Sequence, residues 1–427
     1  TDAINGAQLY SVISNLSGTK YFGVNSNVVG NLKGEGAIGT DAIAIGGNAV
    51  ANTTNATAIG TSANASGHAA IAIGENTTTI GCQTVTIGPR AYSNGSSSVA
   101  IGYSAQSDGQ AATALGERSN ASGWGSLALG ASSKSSGIDS IAMGDGSNAS
   151  QTYAFAAGAS SKASATNATA IGTLANASGV SSIAFGGNAS AVANGTVSMG
   201  ANATALSNGS IAIGQNAMVG NSDQTIGSTT FKPMNAIAIG NNSYAGHANS
   251  TVVGANTKSY GVNNTLIGAD IDAGMGFDAV GIGYRTNTTY YSVAIGSEAI
   301  AGWHNSSTGA GSGVAVGYRA NASALGATAL GALSMATFQG AVAIGQAYAN
   351  ANRSIALGYS VNALADNAIA IGTLSKAFNN NAIAIGNTSQ ALANNAISIG
   401  TGNIVGGENS GAIGDPSIVN ATNSYSV

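Results

Sequence analysis

The stretch Ala42-Ile43-Ala44-Ile45-Gly46 decides the fold, because the chain repeats it. Glycines closing the same phrase fall at Gly46, Gly60, Gly74, Gly88, Gly102 and onward to Gly214, in unbroken steps of 14 residues. A fixed short period over such a length marks a solenoid, in which each unit cannot fold alone and stacks on its neighbours. Counting from the closing Gly, position −1 holds Ile45, Ile59, Ile73, Leu115 and Met143, and position −3 holds Ile43, Ile71, Val85 and Leu127. Position −2 between them is Ala44, Ala58, Ala72, Thr86 or Ala128. Large, small, large is a period of two, so the phrase is a short strand. A second strand follows, with small residues at +3 and +5 (Ala49 and Ala51, Ala63 and Ala65) and a polar residue at +4 (Asn64, Gln106, Asn120, Lys134).

Two facing sheets stand about 10 Å apart, and alanine against alanine would leave that gap empty. The expected packing therefore puts the Ile columns at −1 and −3 inside the coil, against Ala at +3 and +5. Position −2 then lies on the outer face of the first strand, where its small side chains let other copies of the chain approach. On this expectation Ala128→Glu breaks assembly and Asn120→Glu at +4 does not. Residue types with this alternation and no helical period over most of the length make the chain all-β. The exception is Thr1 to Ser17, where Leu9, Val12, Ile13 and Leu16 form the apolar stripe of a short helix suited to a coiled coil. Residues 1–32 are expected to be this neck with a transition in which Tyr21 and Phe22 cap the first rung; residues 33–427 are the repeat domain.

Composition narrows the function. The 427 residues include 63 Gly and 44% hydrophobic residues, yet only 7% charged and 5% aromatic ones, so an ordinary globule with a bulky core is excluded. The net charge of −4 gives no basic footprint for nucleic acid. The single cysteine, Cys82, rules out an intrachain disulfide, and no Cys/His/acid constellation has metal-ligand spacing. His68 and Cys82 share position −6 with Trp124, Ile138 and Val180, a variety that suits an exposed turn. No catalytic group, cofactor or metal is expected. The recurring Asn-Ala-Ser triplets follow from the rung pattern itself.

Beyond Gly214 the rhythm loosens, with phrase glycines at Gly227, Gly240, Gly254, Gly268, Gly283 and Gly296, then a step of 21 to Gly317. The segment 298–313 carries about seven extra residues, including Trp303 and His304, and insertions in solenoids often mark a binding face. About 27 rungs at ~4.8 Å each would make a rod of roughly 130 Å.

The 14-residue Ser/Ala-Ile-Ala-Ile-Gly phrase, with the opening Asp2-Ala3-Ile4-Asn5-Gly6-Ala7-Gln8-Leu9 and the closing Gly414-Asp415-Pro416-Ser417, resembles the YadA-like heads of trimeric autotransporter adhesins. The resemblance implies a left-handed parallel β-roll in a homotrimer. It implies display on the outer membrane of a Gram-negative bacterium, with the membrane anchor lying outside this fragment. The implied partners are host extracellular-matrix protein, cell-surface glycan or a bacterial surface. Candidate contact residues lie on the turn edges and the insertion: Tyr103, Arg118, Trp124, Tyr284, Arg285, Trp303, His304, Tyr318, Arg319 and Tyr359. Tyr and Arg are enriched where binding energy concentrates; a solubilising edge is the plainer alternative. The competing classes are a hexapeptide-type left-handed β-helix acyltransferase, which needs 18-residue three-faced rungs, and an ice-binding solenoid, which needs a flat Thr ladder. A strict 14-residue rung speaks against the first, and position +4, which mixes Asn, Lys, Gln and Tyr, offers no ladder for the second.

Overall fold

A computed structural model describes residues 35–427 apart from 221–223, 227–228, 232–233, 275, 303–310 and 415, and apart from the side chains of 224–226 and 229–231. The described chain is an all-β parallel solenoid of about 26 turns. Contacts divide the described residues into two compact units, one ending at Ala163 and the other spanning Ser164–Val427.

In the first unit the phrase strands stack in parallel, each residue pairing with the one 14 positions on: Thr57↔Ile71, Ala58↔Ala72, Ile59↔Ile73. The second strands stack likewise, as in Gln106↔Asn120 and Ser107↔Ala121. The ladder continues through the turns: Gly102 N donates to Ile87 O at 2.8 Å and Arg118 N to Tyr103 O at 2.8 Å. Almost the whole backbone is thus satisfied by the neighbouring rung. The second unit repeats the pattern, with Ile237↔Thr251 in one sheet and Tyr244↔Lys258 in the other.

Each rung turns twice, and each turn needs one residue in the left-handed region. These residues are seven apart, at +2 and −5: Asn48 and Asn55, Asn76 and Gln83, Arg90 and Ser97 all have φ of 54–60°. The closing glycine is a different constraint. Gly102 has φ 137°, and a Cβ there would stand 2.5 Å from the carbonyl oxygen of Gly116 one rung on. No L side chain fits that combination of backbone angle and close stacking.

The core reverses the expected packing. Position −2 points inward: Ala58, Ala72, Ala100, Ala114 and Ala128 are fully buried. So are +3 and +5, as expected (Ala63, Ala65, Ala105, Ser107), together with −4 (Ala56, Ala70, Ser98, Ala112). The Ile columns at −1 and −3 face out and are partly exposed, reaching 49% at Ile43 and Phe185. The coil is narrow enough for Ala, Ser and Thr to fill it alone, so the spacing of ordinary stacked sheets does not apply and no large side chain is needed inside. The inference that −2 forms the association face is therefore wrong. Inward hydroxyls are tied to the turns: Ser119 Oγ donates to Gly116 O at 2.9 Å and Ser126 Oγ to Gly123 O at 2.8 Å. One larger core residue is offset on one side by a glycine. Leu266 at −2 is followed in register by Gly281, where a Cβ would meet Leu266 Cδ2 at 3.0 Å.

The loosened rhythm also resolves. Gly227 lies outside the described residues; Ile211-Ala212-Ile213 pairs directly with Ile237-Ala238-Ile239. Between them in sequence, Gln224–Ile226 and Thr229–Phe231 pair with each other as two antiparallel strands. This accounts for one rung fewer than expected. The insertion begins later than residue 298, since Ile300–Ala301 is an ordinary second strand in register with Asn287–Thr288 and Asn321–Ala322. Residues 1–34, which include the expected neck helix and cap, lie outside the described residues, as do Trp303 and His304.

Candidate functional site

The turn at +1 and +2 carries most of the predicted residues, and the left-handed backbone at +2 fixes how each side chain leaves the coil. In the first unit Tyr103 at +1 sits between two arginines at +2 of the rungs before and after. Arg90 Nη1 donates to the Tyr103 hydroxyl at 3.0 Å, and the Arg90 and Arg118 guanidinium carbons lie 5.9 and 6.0 Å from the ring centre. Arg118 also meets Glu117 at 3.3 Å, both exposed. Such exposed pairs add little stability, so their value is in presenting charge.

In the second unit the same device appears twice. Arg285 stacks on Tyr284 at 4.9 Å and Arg319 on Tyr318 at 5.1 Å. Glu298, on the rung between, accepts a hydrogen bond from Arg319 Nε at 2.6 Å, and Asp270 lies 4.0 Å from Arg285. That hydrogen bond and the Glu298 charge hold the Arg319 guanidinium above its ordinary pKa. Beside this edge runs a groove of about 530 Å³ between the +2 and +4 columns, lined by Arg285, Asn287, Glu298, Ile300, Arg319 and Asn321 and closed by Leu333, Met335 and Tyr348. A smaller groove of about 230 Å³ lies on the same column pair near Tyr244 and Tyr260, whose rings are 5.1 Å apart. Burial, and then Tyr260, raise the Tyr244 pKa.

Tyr103 and Arg118 thus come together in one unit, and Tyr284, Arg285, Tyr318 and Arg319 in the other. Trp124 is half-exposed on the opposite turn at −6, and Tyr359 is exposed at +1 without joining either cluster. Sequence reasoning missed Asn287, Asn321, Glu298 and Tyr348 as groove residues. Asn287 and Asn321 share position +4 and Glu298 holds +2, while Tyr348, at +3, joins the groove by pairing with Met335; only the rung-to-rung register turns these positions into adjacency. His68 and Cys82 are exposed, as expected of position −6. Among the described residues no group of His, Cys, Asp and Glu could hold a metal ion, and no helix is long and apolar enough to cross a membrane.

With this geometry in place, the family profile of the YadA head domain repeat (2 copies) matches residues 37–63, 54–77, 85–105, 107–133, 135–161, 163–189, 191–217, 234–257, 310–334, 322–347, 339–360, 363–389 and 379–403, well over half the chain. The chain belongs to the YadA head family. That family is one of adhesins rather than enzymes, associated with trimeric autotransporters of the bacterial outer-membrane surface. The YadA-like head here has two strands per turn, which the three-faced acyltransferase reading does not accommodate. No curated protein sequence matches the chain.

Proposed function

We propose that this chain is the head of a homotrimeric surface adhesin, residues 1–32 forming its neck and 33–427 the head, attaching a Gram-negative cell to host matrix, host-cell glycans or other bacteria. The observation that carries this reading is the outward face of the first strands. Positions −1 and −3 run Ile71↔Val85↔Val99↔Thr113↔Leu127↔Ile141 and Ile73↔Ile87↔Ile101↔Leu115↔Leu129↔Met143, and neither column contains a charge in any turn of the coil. Each half-covered Ile or Leu forgoes about 1 kcal/mol of burial. A continuous apolar face of this extent marks an interface, and identical copies of the chain supply the matching surface in perfect register. Trimerisation through this face leaves the Tyr-Arg edges and the polar +4 column to the outside, each presented three times. Weak contacts then sum to firm attachment on a repetitive target.

The test is retention of the purified protein on matrix-protein and glycan surfaces, alongside the double variant Leu129→Lys/Met143→Lys. The wild type should be retained through many washes and the variant lost, with soluble monovalent fragments of the target competing only weakly. Equal retention of both proteins, or tight one-to-one binding, would remove the multivalent account.

A further inference from the structure

The groove from Arg285 to Tyr348 repeats one arrangement at a fixed distance. We propose that it binds a linear acidic polysaccharide whose negative groups recur once per disaccharide. The proposal rests on the adhesive reading above and names a ligand class for one face of the head.

Arg285 with Asn287 and Arg319 with Asn321 occupy +2 and +4 on rungs two steps apart, since Asn287 pairs with Ile300 and Ile300 with Asn321. Two strand separations give about 9.6 Å between equivalent positions, close to one disaccharide in an extended chain. Each Arg/Asn pair offers a guanidinium to a carboxylate or sulfate and an amide to a ring hydroxyl. Glu298 takes Arg319 through Nε, which orients the guanidinium and leaves the Nη groups as donors for a ligand. Leu333, Met335 and Tyr348 supply an apolar end against which the C–H face of a sugar can rest.

The backbone gives a second reason. In this unit the +2 column runs from Asn188 as an amide ladder: Asn188, Asn202, Asn216, Asn242 and Asn256 each donate to the next at 3.0–3.3 Å, the last to Asp270. All have φ near 55°, a region asparagine tolerates better than most residues. At φ 52° and 54°, Arg285 and Arg319 end the ladder, giving up the residue type that suits the turn in exchange for a charge. Residues 258–309, which hold the first half of the groove, also fall outside every stretch matched by the family profile.

A polyproline segment, with a three-residue turn of about 9.3 Å, would match the spacing too. It docks on bare aromatic faces, however, and the Tyr284 and Tyr318 rings are covered by their own arginines.

The experiment titrates the full chain calorimetrically with three probes: an alternating uronate–hexosamine hexasaccharide, unsulfated or sulfated; a neutral hexasaccharide; and a proline-rich triple-helical peptide. The acidic hexasaccharide should bind and the neutral one should not. Arg285→Asn/Arg319→Asn, which installs the residue other rungs use, should lower affinity at least about tenfold with unfolding temperature unchanged or raised. Arg353→Asn, which removes a charge from the opposite turn at φ 55°, should leave binding intact. Equal binding of the neutral sugar, preference for the peptide, or equal loss in Arg353→Asn would overturn the proposal. If no probe binds while the protein is still retained on adhesive surfaces, this site is wrong and the adhesive reading stands.

Discussion

Leu174 sits at +2 with φ 59° and is 56% exposed, one rung before the amide ladder that starts at Asn188. A leucine there carries the steric cost of the left-handed region and leaves its side chain in water. Leu174→Asn should extend the ladder by one bond and raise stability by about 0.5–1 kcal/mol, measured as a higher thermal midpoint or slower hydrogen exchange in the adjoining turns. No change, or a loss, would show that the ladder bonds are too solvated to matter. At this scale the sequence was partly legible. The closing glycines announced their turn by strict recurrence, whereas the left-handed +2 and −5 sites did not, because Asn, Ser, Arg, Leu and Tyr all occupy them. Backbone hydrogen bonds from the rung before hold those residues in place, and such bonds leave no compositional trace.

The unit of packing is one strand pair, and here the sequence pointed both ways. Alternation established that Ile and Ala face opposite sides of the first strand, but not which side is inside. The spacing of ordinary stacked sheets argued for Ile inside; the observed coil closes mostly on Ala, Ser and Thr. Ala128 therefore lies between Ala114 and Ala142 in the core rather than on an interface. Ala128→Glu should cost well over 3 kcal/mol, a charge buried without a partner, and should unfold the neighbouring rungs even in the isolated chain. Asn120→Glu, outward at +4, should change stability by less than about 0.5 kcal/mol. Circular dichroism and proteolysis of the two variants separate these outcomes; a folded Ala128→Glu would return position −2 to the surface. The same register logic explains why the groove was only half visible. Arg285 and Arg319 stood out by type, but Asn287, Glu298 and Asn321 became their neighbours only once the 13- and 21-residue steps were shown to keep the second strands in line.

For the whole molecule, one physical claim carries the function: the two uncharged columns of Ile, Val, Leu and Thr outside the core are covered by other copies of the chain. A parallel solenoid with an Ala-rich core gains little from its own interior, so the proposed association through the Ile face would supply burial the single chain lacks. The period, the all-β class and the adhesin family were legible in the sequence because a strict repeat multiplies every local signal. The proposed face of association was not, because a single chain's sequence records what is apolar without recording what covers it. Sedimentation equilibrium of the wild type beside Leu129→Lys/Met143→Lys is the most direct test. Three chain masses for the wild type and one for the variant, with the same far-UV spectrum, are predicted; a monomeric wild type, or a variant that still sediments as three chains, would contradict it.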